Sequence, residues 1–180
     1  LNKSILGIAP YIETQGLVSS GSHLKGVYIY GVDPDYEKNV SSIGNHFIEG
    51  SLNTLNQSEY NLVIGDILAI QLGLNVGDAV NILVPDTRLG IAGIFPRTKQ
   101  FKVSGIFSLG APEIDQSYIY LSISNASKLL RTGENIHGVR IRYSDLFQSK
   151  DQIRGDLLRL NKEFKKDFKA STWERNYGTL

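Results

Sequence analysis

The sequence predicts an α+β fold in two parts: a mixed part built from both ends of the chain and a β-rich part inserted between them. Three observations lead there. The first third reads as strands, and the last third as strand, helix, strand. The middle block, residues 41–131, is a compact run of short strands and short helices. Within it, the loop Pro85–Phe101 (PDTRLGIAGIFPRTKQF) is apolar at its centre, where loops are normally polar. With 180 residues, the chain is long enough for one large domain or two small ones with real cores.

Taken in order, ILGIAPYIETQGLVSS carries short apolar runs broken by Pro10 and Gly16. GLVSSGSHLKG reads as a hairpin loop. HLKGVYIYGVD then alternates, with Val27, Ile29 and Gly31 on one face and Tyr28, Tyr30 and Val32 on the other. Asp33-Pro34-Asp35 is a turn. In the middle block, Tyr60–Ile64 is a short strand. Gly65-Asp66 offers a cap to the helix ILAIQL, which Gly73 ends. Asn75–Asp78 is turn chemistry before the strand Ala79–Val84. A second strand, Gln100–Phe107, follows the apolar loop. Another loop, Ser108–Gln116, leads to the strand Tyr118–Leu121, and Ser124 caps a short helix, NASKLLR. In the last third, HGVRIRY sets Val139, Ile141 and Tyr143 against Arg140 and Arg142, a strand with one wet face. From Ser149 the pattern is helical: Ile153, Leu157, Leu160, Phe164 and Phe168 form one stripe. A membrane-surface helix would carry such a stripe, as would the simpler alternative, a helix covering a sheet. FKASTW is a final short strand.

Composition excludes several classes of function. Hydrophobic content is 41%, and 19 basic residues against 18 acidic ones leave a formal charge of +1. No nucleic acid is expected as a partner, because a nucleic-acid binder normally shows a marked basic excess. There is no cysteine, hence no disulfide and no thiolate chemistry. There is no methionine either, and the opening at Leu1 leads to the expectation that the chain is excised from a longer one. No run approaches the roughly 20 apolar residues of a membrane helix, and no signal peptide is visible; crossing segments would lie outside these ends.

Catalytic constellations are missing. No G-x-S-x-G, P-loop or G-x-G-x-x-G pattern occurs. His46 and Glu49, at i and i+3, could share a helical face, but two ligands do not make a zinc site. Asp33, Asp35, Glu37, Asp66 and Asp78 stand in contexts typical of caps and turns. Triplets N-x-S at Asn2, Asn39, Asn56 and Asn125 are short enough to arise by chance. No enzyme activity, metal or cofactor is expected.

The apolar loop remains. One reading folds LGIAGIF back as a lid over the small sheet. The other leaves it exposed as an anchor. Pro85 and Pro96 bracket it and stop a ladder on both sides. Gly90 and Gly93 interrupt regular structure. Asp86 and Arg88 precede the tip, and Arg97 and Lys99 follow it, forming a charged collar. Burying Leu89, Ile91, Ile94 and Phe95 in a partner would contribute about 6–10 kcal/mol before ordering costs.

In their order and spacing, ILGIAPYI, GVDPDYE, VIGDILAIQLGLNVGDAV, PRTKQFKVSGIFSLG, SKLL and HGVRIR resemble the periplasmic domain of LolC/LolE-type membrane subunits of the lipoprotein-releasing ABC transporter, within the MacB-like superfamily. The closing WERNYGTL is similar to the stretch that leads into the next membrane helix. The resemblance implies a Porter-like subdomain, 1–40 with 132–180, and an inserted Sabre-like subdomain, 41–131, carrying a protruding hairpin loop. It implies a chaperone-binding hook at Pro85, Arg88, Leu89, Ile91, Ala92, Gly93, Ile94, Phe95 and Pro96, most like that of LolC. It implies a pad at Asn81, Thr98 and Lys99, of which only Lys99 is charged. The implied partners are a LolA-type lipoprotein chaperone, a second LolC/LolE-type subunit, a LolD-type ATPase that hydrolyses ATP in the cytoplasm, and acylated lipoprotein cargo. The implied place is the periplasmic face of the bacterial inner membrane. The alternative within the superfamily is a mechanotransmission domain of the MacB or FtsX type, acting on another envelope protein.

Overall fold

The computed structural model describes residues 4–85, 96–144, 149–165 and 168–171. In chain order the strands are β1 (Ile5–Ser20), β2 (His23–Val32), β3 (Phe47–Gly50), β4 (Asn61–Gly65), β5 (Ala79–Val84), β6 (Arg97–Phe107), β7 (Tyr118–Ser122) and β8 (Gly138–Tyr143). The helices are α1 (Pro34–Glu37), α2 (Asp66–Leu72), α3 (Pro112–Asp115), α4 (Ile123–Leu130) and α5 (Ser149–Phe164). Two single 3-10 turns, Ile43–Asn45 and Leu52–Asn56, lie between α1 and β4. The fold is α+β, as the sequence predicts.

Six of the strands close a ring. β1 pairs with β2, β2 with β7, β7 with β4, β4 with β6, β6 with β5, and β5 with β1 again. The β2–β7 and β4–β6 pairs are parallel and the rest antiparallel. Outside the ring, β8 adds to β1 and β3 to β6. Closure leaves no ring strand with an unpaired edge over its paired length. Alternation decides what fills the inside: Ile12, Val18, Val27, Ile29, Leu62, Ile64, Val80, Ile82, Val84, Phe101, Val103, Ile119 and Leu121 join one buried cluster. A ring of this size is filled by its own side chains. Leu68 and Leu72 of α2 and Ala126 and Leu129 of α4 belong to the same cluster.

A second cluster lies on the other face of β4, β6 and β7. Val63, Phe107 and Tyr120 pack there with Ile43, Leu52 and Leu55 from the 3-10 turns. β4 is therefore buried along its whole length, which explains why NLVIG is unbroken rather than alternating. A bulge at Ser104 makes Phe107 available to this cluster. Leu62 pairs with Val103 but Val63 pairs with Gly105, so the parity of β6 reverses after the bulge.

Several local expectations change. Pro10 and Gly16 do not break the first strand, because β1 runs unbroken over 16 residues. They mark changes of partner instead. Pro10, which lacks an N–H, precedes the β2 ladder that starts at Tyr11. Gly16 lies where a Cβ would stand 2.6 Å from the Leu83 carbonyl oxygen, just before the β5 ladder. Ser122, not Ser124, caps α4, its hydroxyl accepting from the Asn125 N–H at 3.2 Å. His46 closes a 3-10 turn and Glu49 lies in β3, so the pair shares no helical face. In β8, Val139 and Ile141 are 50% and 37% exposed, and it is Arg140 that tucks in, toward Glu37. Glu37 is thus a buried ion-pair partner rather than a turn residue. Asp33 caps α1, accepting from the Asp35 N–H, and Asp78 closes a turn, accepting from the Asn75 N–H; Asp66 is the first residue of α2, whose cap position is Gly65, and accepts from the Ile67 N–H.

The chain divides into two compact units, Leu6–Arg142 on one side and Leu1–Ile5 with Tyr143–Leu180 on the other. The first holds the ring. Among the described residues of the second, the Tyr143 hydroxyl donates to Asp156 at 3.3 Å, and the Ser144 N–H donates to the Ser4 carbonyl at 2.8 Å. Ile153, Leu157 and Leu160 are half-buried along α5. Phe168 is not part of that helical stripe. Lys165 takes φ 50 and ends the helix. Asn161 then clamps the Phe168 backbone, accepting from its N–H at 2.7 Å and donating to its carbonyl at 3.3 Å.

Candidate docking site

The β5–β6 hairpin holds the described residues of the expected site, Asn81, Pro85, Pro96, Thr98 and Lys99. Ile82 faces Lys99, Leu83 faces Thr98, and Val84 faces Arg97 in the last pair of the ladder. Pro85 and Pro96 follow that pair, both exposed. Neither can donate a ladder hydrogen bond. Arg88, Leu89, Ile91, Ala92, Gly93, Ile94 and Phe95 lie outside the described residues.

The hairpin stands on a firm base. Val80, Ile82 and Val84 are buried in the ring. Arg97 is half-buried, and its guanidinium donates to the carbonyls of Leu130 at 2.6 Å and Leu129 at 3.4 Å. Those carbonyls end α4, where a helix carries unpaired acceptors and partial negative charge. Arg97 therefore ties the hairpin to α4 rather than completing a free charged collar. Nothing in the sequence signals this, since Arg97 and Leu130 are 33 residues apart.

Strand alternation sorts the three pad residues. Asn81 and Thr98 share one face with Leu83 and Gln100. Lys99 lies on the other face, opposite Ile82, and its ammonium sits 3.8 Å from the centre of the Tyr60 ring. Tyr60 meets the buried Phe101 edge-on at 5.6 Å. Lys128 also approaches the Tyr60 ring, at 5.9 Å, and pairs with Glu59 at 2.6 Å. The Lys128 bond and charge hold the Glu59 carboxyl below its usual range, and Glu59 in turn raises Lys128. Both groups are fully exposed, so water and salt screen the pair. Asn81 and Thr98 thus present an amide and a hydroxyl on one side, and Lys99 a cation beside an aromatic ring on the other.

Among the described residues no three His, Asp or Glu side chains converge as metal ligands. Tyr60, Glu59 and Lys128 belong to the surface around Lys99 without a sequence signal. The sequence reads Tyr60 as the first residue of a strand, whereas it lies in the turn before β4, and the tertiary fold brings it to Lys99.

The sequence profile of the MacB-like periplasmic core domain matches residues 1–156. The chain is 33% identical over 176 residues to the lipoprotein-releasing system transmembrane protein LolC of Xylella fastidiosa strain 9a5c, covering 98% of this chain and 41% of that protein. It is 30% identical over 180 residues to the LolE protein of Haemophilus influenzae, covering 99% of this chain and 42% of that protein. The chain thus spans about two-fifths of the length of these relatives. Among solved structures, the extracellular domain of the ABC-type transporter YknZ from Gram-positive bacteria superposes with a TM-score of 0.63 at 13% identity, covering 91% of this chain and 79% of that one. The periplasmic region of MacB from Actinobacillus actinomycetemcomitans gives 0.59 at 18% identity, covering 99% and 78%. These two likenesses concern the fold.

Proposed function

The chain belongs to the family of MacB-like periplasmic core domains, and from that premise we propose that it is the periplasmic domain of a LolC-type subunit of a lipoprotein-releasing ABC transporter in the bacterial inner membrane. The hairpin docks a LolA-type chaperone. Acylated lipoprotein passes to that chaperone, and a LolD-type ATPase in the cytoplasm supplies the energy. A second subunit of the same type completes the transporter.

One observation carries the reading to this chain. The last β5–β6 pair delivers Pro85 and Pro96 together at an exposed end, and the sequence between them is the apolar DTRLGIAGIF. An apolar segment between exposed prolines on a braced hairpin suits insertion into a groove that accepts acyl chains. Asn81, Thr98 and Lys99 at its foot supply polar contacts that set orientation. No helix among the described residues is long and apolar enough to cross a membrane.

Ile94→Asp or Phe95→Asp is expected to abolish chaperone binding while leaving the circular dichroism and the melting profile unchanged. Normal chaperone binding by both variants would defeat the docking reading. Capture of a different envelope protein by the unaltered domain, with no chaperone bound, would favour a mechanotransmission role instead.

The same reading divides the chain into a Porter-like part, 1–40 with 132–180, and a Sabre-like part, 41–131. The two share ladders, β2 with β7 and β1 with β5. They are therefore proposed as subdomains that fold together, not as separable domains.

A further inference from the structure

Tyr60 combines three features that a turn residue does not need. Its φ is +61°, a left-handed backbone that a tyrosine seldom adopts. Its ring lies edge-on to Phe101 of the ring core. Its outward face carries the Lys99 ammonium at 3.8 Å. Strained backbone that the surroundings hold in place is a reason to look for function.

The surroundings do hold it. The Tyr60 carbonyl accepts from the Lys102 N–H at 2.8 Å. Next to it, the Asn61 side chain donates to the Thr54 carbonyl at 2.7 Å and accepts from the Ser58 hydroxyl at 2.9 Å. The turn before β4 is thereby tied to the 3-10 turn, which holds the Tyr60 backbone in place, while Phe101 packs against its ring. Glu59, the acid of this cluster, is paired with Lys128. Lys99 makes no ion pair among those of the described residues, although its charge adds to that of Lys128 in holding the Glu59 carboxyl low. A lysine on an open surface normally samples many rotamers, and fixing it on binding costs affinity. Here an aromatic face fixes it beforehand.

We propose that Tyr60 is a positioning residue of the docking surface: its ring holds the Lys99 ammonium at the foot of the β5–β6 hairpin as a preformed contact for a carboxylate of the docked chaperone. The proposal rests on the docking reading above. It gives Lys99 a definite place on the opposite face of the hairpin from Asn81 and Thr98, so the partner grips the hairpin from both sides.

Two measurements test it. In the domain alone, NMR should show the Lys99 side-chain methylene protons shifted upfield by the Tyr60 ring, with the shift kept in Tyr60→Phe and lost in Tyr60→Leu. Absence of the shift in the unaltered domain overturns the proposal. In calorimetric titrations with a LolA-type chaperone, Tyr60→Leu should weaken binding about two- to fivefold, the loss of an exposed cation–aromatic contact, and Tyr60→Phe should bind normally. Adding Tyr60→Leu to Lys99→Gln should cost nothing further, and Lys99→Glu should weaken binding more than Lys99→Gln. A folded Tyr60→Leu that binds as the unaltered domain does, or losses that simply add, removes the positioning role while leaving docking intact. Equal effects of Lys99→Glu and Lys99→Gln remove the carboxylate. An unaltered domain that binds no chaperone defeats the docking reading itself, and the proposal with it.

Discussion

Glu37 is wholly buried, and the Arg140 guanidinium lies 2.6 Å from one of its oxygens. Burial raises its pKa above the ordinary 4.5, and the Arg140 charge opposes that rise. Desolvation is the larger effect, so the folded domain holds this proton more tightly than the unfolded chain. The contribution to stability is then greatest below 4.5 and falls as pH climbs through the raised folded value. Relative to Glu37→Gln, the unaltered domain should gain stability between pH 7 and pH 5 in urea melts; a loss over that range would mean that the ion pair outweighs burial. Arg140→Met strands the carboxylate and is expected to cost about 2–3 kcal/mol at pH 7, somewhat less than a fully enclosed pair would, and less again at pH 5. The pattern HGVRIRY presents Arg140 as a wet-face residue, and GVDPDYE presents Glu37 as a turn acid. Their partnership spans 103 positions, which no local pattern can report.

Elements were legible where local chemistry decides them. The hairpin at Gly21, the helix ending at Gly73 and the alternation of β2 all follow from neighbours in sequence. Elements whose stability comes from elsewhere were not. The sequence of α3 reads as part of a loop because its support is the buried Asp115, whose two oxygens accept from Leu109 N–H at 2.9 Å and Ala111 N–H at 3.0 Å. Gly65 is needed beside it, since a Cβ there would meet the Asp115 carbonyl oxygen at 2.1 Å. Asp115→Ala leaves both donors short of an acceptor and should cost about 2–3 kcal/mol in chemical denaturation. Asp115→Asn keeps one acceptor and should cost less; equal losses would show that packing, not hydrogen bonding, holds the loop.

For the molecule as a whole, the closed ring is the decisive feature. It takes β1 and β2 from the start of the chain and β4, β5, β6 and β7 from the middle. Residues 41–131 alone lack two ring strands and should remain unfolded, whereas Leu6–Arg142, a compact unit with the ring complete, should give a dispersed NMR spectrum and a cooperative melt. A folded 41–131 fragment would turn the proposed subdomains into separable domains. Closure also matters to the site. The described base of the β5–β6 hairpin is rooted in the closed core and tied to α4 by Arg97.

The sequence by itself determined the α+β class, the alternation of the main strands, the family and the apolar segment between Pro85 and Pro96. These depend on residue type, short spacing and order along the chain, which are complete in one dimension. Only the tertiary structure decided that the strands close into a ring, that Arg97 braces the hairpin, that Glu37 pairs with Arg140 and that Lys99 rests on Tyr60. Each of these joins residues far apart in the chain: the ring gains by burying apolar side chains, and the polar pairs by charge and hydrogen bonding between groups that meet only after folding.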